Sequence, residues 1–556
     1  MLRRASLALG TAVLATTAFV VVPVLAFAQH DHAMAPSAGT PPPLFEGLGP
    51  VHRGIKTRAP MAQKYFDQGL RLAYGFNHEE AKRSFLEAAR LDSTCAMAWW
   101  GAALVLGPNI NLPMSVEAEM EAYTHAQRAL ALGQGAPPLE RAMTEALAKR
   151  YDATAGMNRA AHDSAYADAM RALHKAHPGD QDVAVLTAEA LMDLRPWDFW
   201  TMDGKAQPGT MEIVSLLEGV LKANPNHTGA IHLYIHAVEE SPEPGRAEAF
   251  ADKLAKLAPA AGHLVHMPSH IHLRVGRYSD AVDFNAKAIT ADRAYIGKYN
   301  PPGVYPIMYY PHNIHMRWSA LLSSGRRADA LQAARDLEKA VPDSIVRAMP
   351  MAEFFRPARY LTQVRFGLWE EALQEPEPAA GMPFSHAAWH YARGMAYATG
   401  SKYAEAQAER DSILAIVASL PPDAYFSLNP AAPVFRFAAA HLDGEIALRR
   451  GDSDRAIALL RTAAGMQDSL HYDEPPAWQQ TARQSLGTAL LSAGRAADAE
   501  AVYREDLARY PETGWSLYGL TQALRAQGKT KEASEAEARF RRAWAKSDTK
   551  LVSSRF

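Results

Sequence analysis

Histidines recur with a 34-residue spacing in the middle of this 556-residue sequence. His232 and His266 are 34 residues apart, and His236 and His270 have the same separation. Residues i and i+4 share one face of a helix, so each helix would present two imidazoles in the same direction. Imidazole nitrogen is a common ligand of zinc and copper and also suits iron and nickel. The spacing therefore predicts a transition-metal site between neighbouring helices.

The elements that must position these histidines follow the same period. Ala372 and Ala406 are 34 residues apart, and Gly69 precedes Phe85 as a small residue precedes a bulky one in the tetratricopeptide repeat. The same pattern recurs near the C-terminus at Gly487, Ala499, Tyr503 and Pro511. A repeat of this kind is a helix pair that cannot bury its apolar face alone, so successive pairs stack. The sequence predicts an all-α tetratricopeptide-repeat solenoid, a superhelix of antiparallel helix pairs.

Within this repeat, the histidines fall at positions 2, 5 and 9 of three first helices, which begin at Thr228, Gly262 and Pro311. These positions line the concave groove of a tetratricopeptide array, and packed helices lie close enough for side chains to converge. Glu239 adds a carboxylate on the same face. The predicted metal ligands are His232, His236, His263, His266, His270, His312, His315 and Glu239. This donor set indicates copper or zinc, with iron as a further candidate.

The chain is predicted to contain five segments. Residues 1–28 combine two early arginines, an apolar stretch and an Ala-x-Ala site, as in a cleaved signal peptide, and an uncleaved membrane anchor is the competing interpretation. Residues 29–59 begin with a tract rich in His, Pro and Gly and are predicted to be a disordered tether. The repeats are predicted in three blocks: 60–210 with a Trp-rich insertion, 211–345 with the groove histidines, and 346–556 with a capping helix. The signal peptide predicts a periplasmic or secreted protein.

The amino-acid composition restricts the classes of partner that the chain is expected to bind. The chain has 58 basic and 60 acidic residues, a formal charge of −2. This balance argues against nucleic acid and against anionic membrane surfaces, so no membrane association is predicted beyond the N-terminal segment. The single cysteine, Cys95, precludes an internal disulfide.

Several segments resemble a group of exported bacterial tetratricopeptide-repeat proteins with histidine-rich repeat helices. They are "PWDFWTMDGKAQPGT", "NHTGAIHLYIHAVEES", "GHLVHMPSHIHLRVGRYSDAV" and "YPHNIHMRW". The likeness extends from Leu44 to about Trp318, and the histidine blocks are its most specific part. It implies the fold and export but supplies no activity. It also implies that the groove histidines are accompanied by His78, Asn109, Trp197 and Asp198.

Three functions remain open from the sequence. The first is a metal-binding protein that uses the groove histidines. The second is a scaffold whose groove binds a peptide or protein partner, and end-to-end self-assembly is a related possibility. The third is a metalloenzyme in which Glu239 or Asp198 acts as a base. The sequence lacks the usual catalytic motifs, including His-Glu-x-x-His, Gly-x-Ser-x-Gly and phosphate loops, so a binding role is preferred over an enzyme.

Overall fold

The computed structural model describes residues 41–154 and 156–556. Over these residues the chain is built from α-helices, and the strands are confined to one two-residue pair, β1 (Tyr425–Phe426) and β2 (Asn429–Pro430), which is antiparallel. The predicted all-α class is therefore confirmed. The predicted signal peptide, 1–28, lies outside the described residues. None of the helices in the described ranges has the length and apolar character needed to span a membrane.

The N-terminal helices show how the repeats pack. They are α1 (Pro60–Ala73), α2 (His78–Leu91), α3 (Ala96–Leu104), α4 (Val116–Gly133), α5 (Pro138–Leu147), α6 (Arg159–Ala176), α7 (Gln181–Met192) and α8 (Thr210–Ala223). The Phe85 ring of α2 lies between Gly69 of α1 and Gly101 of α3. A Cβ at Gly69 would lie 2.7 Å from this ring, and one at Gly101 would lie 2.4 Å from it. Glycine therefore lets three consecutive helices approach closely, as the repeat pattern predicts.

The middle helices carry the predicted ligands. They are α9 (Thr228–Val238), α10 (Glu248–Leu257), α11 (Gly262–His266), α12 (Pro268–Arg274), α13 (Tyr278–Tyr299), α14 (Tyr310–Ser323) and α15 (Arg327–Ala340). The sequence predicts one helix from Gly262 onward, but the structure divides it at Met267 into α11 and α12. Pro268 explains the break, because proline has no amide hydrogen for the helical hydrogen bond.

The C-terminal helices repeat the packing seen at the N-terminus. They are α16 (Asp343–Ala348), α17 (Ala358–Arg365), α18 (Trp369–Gln374), α19 (Pro383–Thr399), α20 (Tyr403–Ser419), α21 (Ala431–Arg449), α22 (Ser453–Asp468), α23 (Ala482–Ser492), α24 (Ala496–Arg509), α25 (Gly514–Ala526) and α26 (Thr530–Ala543). The Tyr503 ring of α24 lies between Gly487 of α23 and Gly519 of α25, where added Cβ atoms would lie 2.3 and 2.2 Å from it. The same glycine–aromatic–glycine packing at both ends identifies the fold as a tetratricopeptide-type helical solenoid.

The C-terminal helices also return to the middle of the chain. The indole of Trp515 donates to the carbonyl of Leu322 over 2.9 Å, and the carboxylate of Asp548 accepts from the backbone of Arg327 and Ala328. The loop between α22 and α23 also lies beside α9 and α12, where Tyr472 contacts Glu239 and Glu474 contacts His270. This return matters for function, because it closes one side of the groove.

The sequence predicts a disordered tether over 29–59. This prediction is wrong for residues 41–59, most of which pack against the helices. Leu48 and Val51 are buried. The Arg53 guanidinium lies 2.9 Å from an oxygen of Asp180 and 3.2 Å from one of Asp182. A segment without helices can therefore be ordered when a few apolar side chains and a buried ion pair anchor it.

Candidate metal centre

Six of the seven predicted histidines meet in one buried cluster, together with Glu239. We call it the histidine centre, and it consists of His232, His236 and Glu239 from α9 and its C-cap, His263 and His266 from α11, His270 from α12, and His312 from α14. All but the half-buried His312 are buried. The break between α11 and α12 does not separate His266 from His270, whose ring centroids are 4.5 Å apart.

The histidines form two triads in which the possible ligand atoms all lie within 4.8 Å of one another. The first triad is His232, His236 and His263, and the second triad is His266, His270 and His312. The triads are neighbours, because the rings of His236 and His270 are 5.2 Å apart. The predicted convergence of three repeat helices on one place is thus found.

In the first triad, the surroundings fix which imidazole nitrogen is available. His232 Nδ1 lies 2.7 Å from the carbonyl oxygen of Tyr74, and a carbonyl can only accept, so Nδ1 carries the proton. His232 Nε2 therefore presents a lone pair, which faces His263 Nε2 at 3.1 Å. His236 Nδ1 lies 2.7 Å from Glu239 Oε1, and its Nε2 has no hydrogen-bond partner in the described part of the chain.

The second triad repeats this arrangement. His266 Nδ1 lies 2.8 Å from Asn285 Oδ1, and Asn285 Nδ2 donates to the carbonyl of Ala281, which fixes the orientation of the amide. His270 Nδ1 lies 2.6 Å from Glu239 Oε2. Both imidazoles therefore donate through Nδ1, and their Nε2 atoms are 2.7 Å apart. Two lone pairs at that distance require a proton or a cation between them.

Glu239 joins the two triads. One of its oxygens accepts from His236 and the other from His270. Burial disfavours its charge, but the two neighbouring histidines outweigh burial and hold the pKa of Glu239 below its usual value. A carboxylate that accepts from Nδ1 orients an imidazole for metal binding through Nε2. Glu239 was predicted as a metal ligand, and its contacts fit this orienting role better.

Four imidazoles of the histidine centre are held in the neutral form, which is the form that binds metals. Burial, and after it the proximity of the other imidazoles, lowers the pKa of His232, His263, His266 and His312. These side chains are therefore neutral at pH 7. Neutral imidazole is the state that a metal ligand requires, so no proton has to be displaced from the ring.

Aromatic side chains cover the histidine centre. The Phe76 ring lies 4.4 Å from that of His232, and Trp197 lies 5.2 Å from His236. On the other side, Tyr309 lies 4.9 Å from His263. Tyr309 belongs to a π-helical turn, Tyr305–Tyr309, which directly precedes α14. The site is therefore enclosed by apolar surface rather than open along a groove.

The residues implied by the resemblance are divided between the centre and its surroundings. Trp197 contacts the centre directly. His78 packs against Phe76 at 5.8 Å, with its Nδ1 3.4 Å from Asn109 Nδ2, so both lie behind the aromatic cover. Asp198 is exposed and pairs with Arg195 at 2.7 Å, so it does not belong to the centre.

His315 is the predicted ligand that does not join the centre, and the structure corrects this prediction. Its ring stacks on Trp318 at 5.1 Å and lies 5.5 Å from Phe355. Burial lowers the pKa of His315 to about 3. A separation of three residues turns a helical side chain by about 60° from its neighbour. His312 therefore reaches the second triad while His315 packs into the apolar core.

Two further residues contact the histidine centre, and both come from the loop between α22 and α23, where the sequence predicts no ligand. Glu474 contacts His270 Nδ1 and is buried. The Tyr472 hydroxyl donates to Glu239 Oε2 over 3.3 Å. Burial, and then the charge of Glu239, raises the pKa of Glu474 well above its usual value. These residues lie about 200 positions away from the histidines and outside the repeat period, so no local signal pointed to them.

Comparison with known proteins adds to the description of the fold. No family profile matches the chain, and no curated protein matches it either. Among solved structures, the chain is similar to the human IFIT1 dimer with m7Gppp-AAAA, with 14% identity, 88% of this chain and 91% of that chain covered, and a TM-score of 0.33. It is also similar to yeast Tom70, with 11% identity, coverage of 84% and 96%, and a TM-score of 0.33. The TPR domain of P58(IPK) matches with 12% identity, coverage of 85% and 99%, and a TM-score of 0.23.

Similarity at this level concerns only the general helical-repeat architecture. The fold assignment rests on the glycine–aromatic–glycine packing at both ends of the chain. The chain is a tetratricopeptide-type helical solenoid that encloses a histidine centre.

Proposed function

We propose that this chain is an exported binding protein that holds transition-metal ions in the histidine centre, with copper or zinc ahead of iron. The observation that carries the proposal is that the Nε2 lone pairs of His266 and His270 face each other. Each ring donates its Nδ1 proton elsewhere, and their Nε2 atoms are 2.7 Å apart. A bound cation removes the repulsion between them, and zinc accepts imidazole nitrogen at about 2.0–2.1 Å.

Two ions per chain fit the arrangement. Each triad offers three imidazoles, and Glu239 orients one imidazole of each triad from outside. Three protein ligands and an outer carboxylate are a common design for zinc sites. The neutral state of His232, His263, His266 and His312 also favours binding at pH 7.

A peptide partner at this position is less well supported. The ligands lie beneath Phe76, Trp197 and Tyr309, and the loop that carries Glu474 closes another side. A peptide would have to displace these side chains before it touched a histidine. An ion needs no such opening.

A metalloenzyme is also less well supported. Three ligands leave a coordination position open, as in catalytic zinc sites. However, both oxygens of Glu239 are occupied by histidines, and Asp198 is exposed and paired with Arg195. Neither predicted base is placed to activate a metal-bound water, so binding is the proposed role.

The experiment is a zinc and copper titration of the untagged full-length protein against a chromophoric chelator. We expect the wild type to compete for the metal and the double variant His236→Ala with His270→Ala to lose this ability. His315→Ala is the matched control, because it removes a buried histidine of α14 outside the triads. Circular dichroism verifies that each variant is folded. Equal competition by the double variant and the wild type would refute the proposal.

A further inference from the structure

A cleft of about 460 Å³ lies where the C-terminal helices return to the middle of the chain. Its walls include Arg274, Tyr278, Arg365, Trp478 and Gln484. Small-molecule sites commonly have volumes of about 300–1,000 Å³ and a lining of aromatic side chains with a few polar groups. The cleft borders the histidine centre, because Tyr472 and Glu474 of the loop between α22 and α23 line the cleft and also contact Glu239 and His270.

Arg365, the last residue of α17, is the unusual feature of this cleft. Its side chain is buried, with 6% of the residue exposed, and its guanidinium lies 3.9 Å from the ring centre of Trp515. Nη1 donates to Gln484 Oε1 over 2.6 Å, whereas Nε has no partner within the described residues. No described carboxylate forms an ion pair with it. A buried charge is costly unless it is paired, so this guanidinium is suited to receive an anion.

Asp506, a carboxylate whose charge acts on Arg365, already accepts hydrogen bonds from other side chains. Asp506 accepts from Gln484 Nε2 over 3.2 Å and from the Ser516 hydroxyl over 2.5 Å. Gln484 therefore stands between Arg365 and Asp506 and keeps their charges apart. Burial lowers the pKa of Arg365 to about 9, and the charge of Asp506 offsets only part of this effect.

Arg274, the last residue of α12, adds a second positive charge to the wall. Its Nε donates to the backbone carbonyl of Glu239 over 2.8 Å, and its guanidinium lies 5.5 Å from the ring centre of Tyr472. The described residues place no carboxylate within ion-pair distance of it. Arg274 and Arg365 thus keep donors that are not neutralised by an acidic side chain, whereas Arg509, the third arginine of the lining, pairs with Asp468.

The acidic residues in the cleft do not cancel these charges. Asp468 pairs with Arg483 at 2.6 Å and with Arg509 at 3.1 Å. Burial, and then the charge of Glu239, raises the pKa of Glu240 to about 8, and burial raises that of Asp473 to about 7. Asp468 is thus engaged by its own arginines, and burial disfavours the charged form of Glu240, Asp473 and Glu474, so the positive charges of Arg274 and Arg365 remain without an ion-pair partner among the described residues. Asp203, at the rim, pairs with Lys205 at 2.6 Å.

We propose that this cleft binds a small organic carboxylate, with its carboxylate group on Arg365 and its body against Trp478 and Tyr278. Arginine recognises carboxylates through paired N–H donors, and a buried guanidinium gains most from such a partner. The volume exceeds that of a single inorganic anion, and the aromatic walls suit an organic body. This proposal does not depend on metal in the histidine centre.

Isothermal titration of the full-length protein with citrate, phenylacetate and inorganic phosphate tests the proposal. We expect at least one of the two carboxylates to bind and phosphate to bind more weakly. Arg365→Gln should weaken carboxylate binding about tenfold or more, because it removes the receiving charge. Arg274→Gln is the second variant and should also weaken binding, which keeps the test decisive if Arg365→Gln fails to fold.

The matched control is Arg393→Gln. Arg393 also lies over an indole, 4.5 Å from the ring centre of Trp389, but it pairs with Glu409 at 2.8 Å and lies outside the cleft. Its substitution should leave carboxylate affinity unchanged. The proposal is overturned if neither carboxylate binds at concentrations up to about 10 mM. Tighter binding of phosphate, or unchanged carboxylate affinity in a folded Arg365→Gln or Arg274→Gln variant, would also overturn it.

Discussion

His266 and His270 face each other through their Nε2 atoms at 2.7 Å, while Asn285 and Glu239 accept the protons on their Nδ1 atoms. The partners of each ring thus determine which nitrogen points inward. The facing lone pairs are the strongest indication that the histidine centre is built for a cation.

The two triads should bind metal separately. A variant with His232→Ala and His263→Ala should keep one ion per chain, because the second triad remains complete. The variant with His266→Ala and His312→Ala should likewise keep one ion in the first triad. Equilibrium dialysis with zinc measures the stoichiometry. Complete loss of zinc from both folded variants would indicate a single shared site instead.

Glu239→Gln should weaken metal binding without removing a proposed ligand. The two histidines use different oxygens of Glu239, and glutamine replaces one of these oxygens by an NH2 donor, so one imidazole loses its acceptor. Loss of such an outer carboxylate typically costs about 10–100-fold in metal affinity. Competition with a chelator measures the affinity. Glu240→Gln is the matched control, because Glu240 is adjacent in sequence but belongs to neither triad. The metal affinity of this variant should equal that of the wild type.

Metal should stabilise the folded protein. A ligand that binds only the native state adds about 2.7 kcal/mol per site at a concentration 100 times its Kd. Chelator treatment should therefore lower the melting temperature, and added zinc should restore it. Differential scanning calorimetry checks both steps. The double variant His236→Ala with His270→Ala should melt at the same temperature with and without zinc, and a zinc-dependent rise in that variant would place the stabilising site elsewhere.

His441 should make stability depend on pH without any involvement of metal. It is buried in α21, between the Tyr391 hydroxyl at 3.0 Å and Ser485 Oγ at 2.9 Å, and burial lowers its pKa to about 4. Below pH 6.5 the unfolded chain takes up a proton that the folded chain does not, so stability falls as the pH decreases towards 4.

The expected contribution of His441 is a loss of about 2 kcal/mol between pH 7 and pH 5. Urea unfolding of the wild type and of His441→Gln measures it, because the variant lacks this titrating group. The free energy of unfolding of the wild type should fall by about 2 kcal/mol more than that of the variant over this range. An equal decrease in both proteins would show that His441 titrates normally in the folded state.

The sequence was sufficient to predict the helical repeats, because their packing depends on local spacing. Gly69 and Phe85 lie on the two helices of one pair, α1 and α2, and their contact follows from the repeat itself. The same logic predicted that histidines in successive first helices would converge. Periodicity does not report exact helix rotation, however, and His315 consequently faces the core rather than the second triad.

The rest of the site depends on contacts between distant parts of the chain. Glu474 reaches His270 only because the C-terminal helices return to the middle ones, and Phe76 covers His232 from the N-terminal repeats. Tyr74 likewise offers a backbone carbonyl, which has no sequence signature. Such contacts are set by the curvature of the whole solenoid, which repeat spacing alone does not determine.

Elemental analysis tests most directly whether the histidine centre binds metal. The untagged protein is purified without chelators, dialysed with zinc and then freed of unbound ions. The account predicts about two transition-metal ions per chain and none in the folded double variant His236→Ala with His270→Ala. The absence of bound metal from the wild type, or equal metal content in the two proteins, would contradict it.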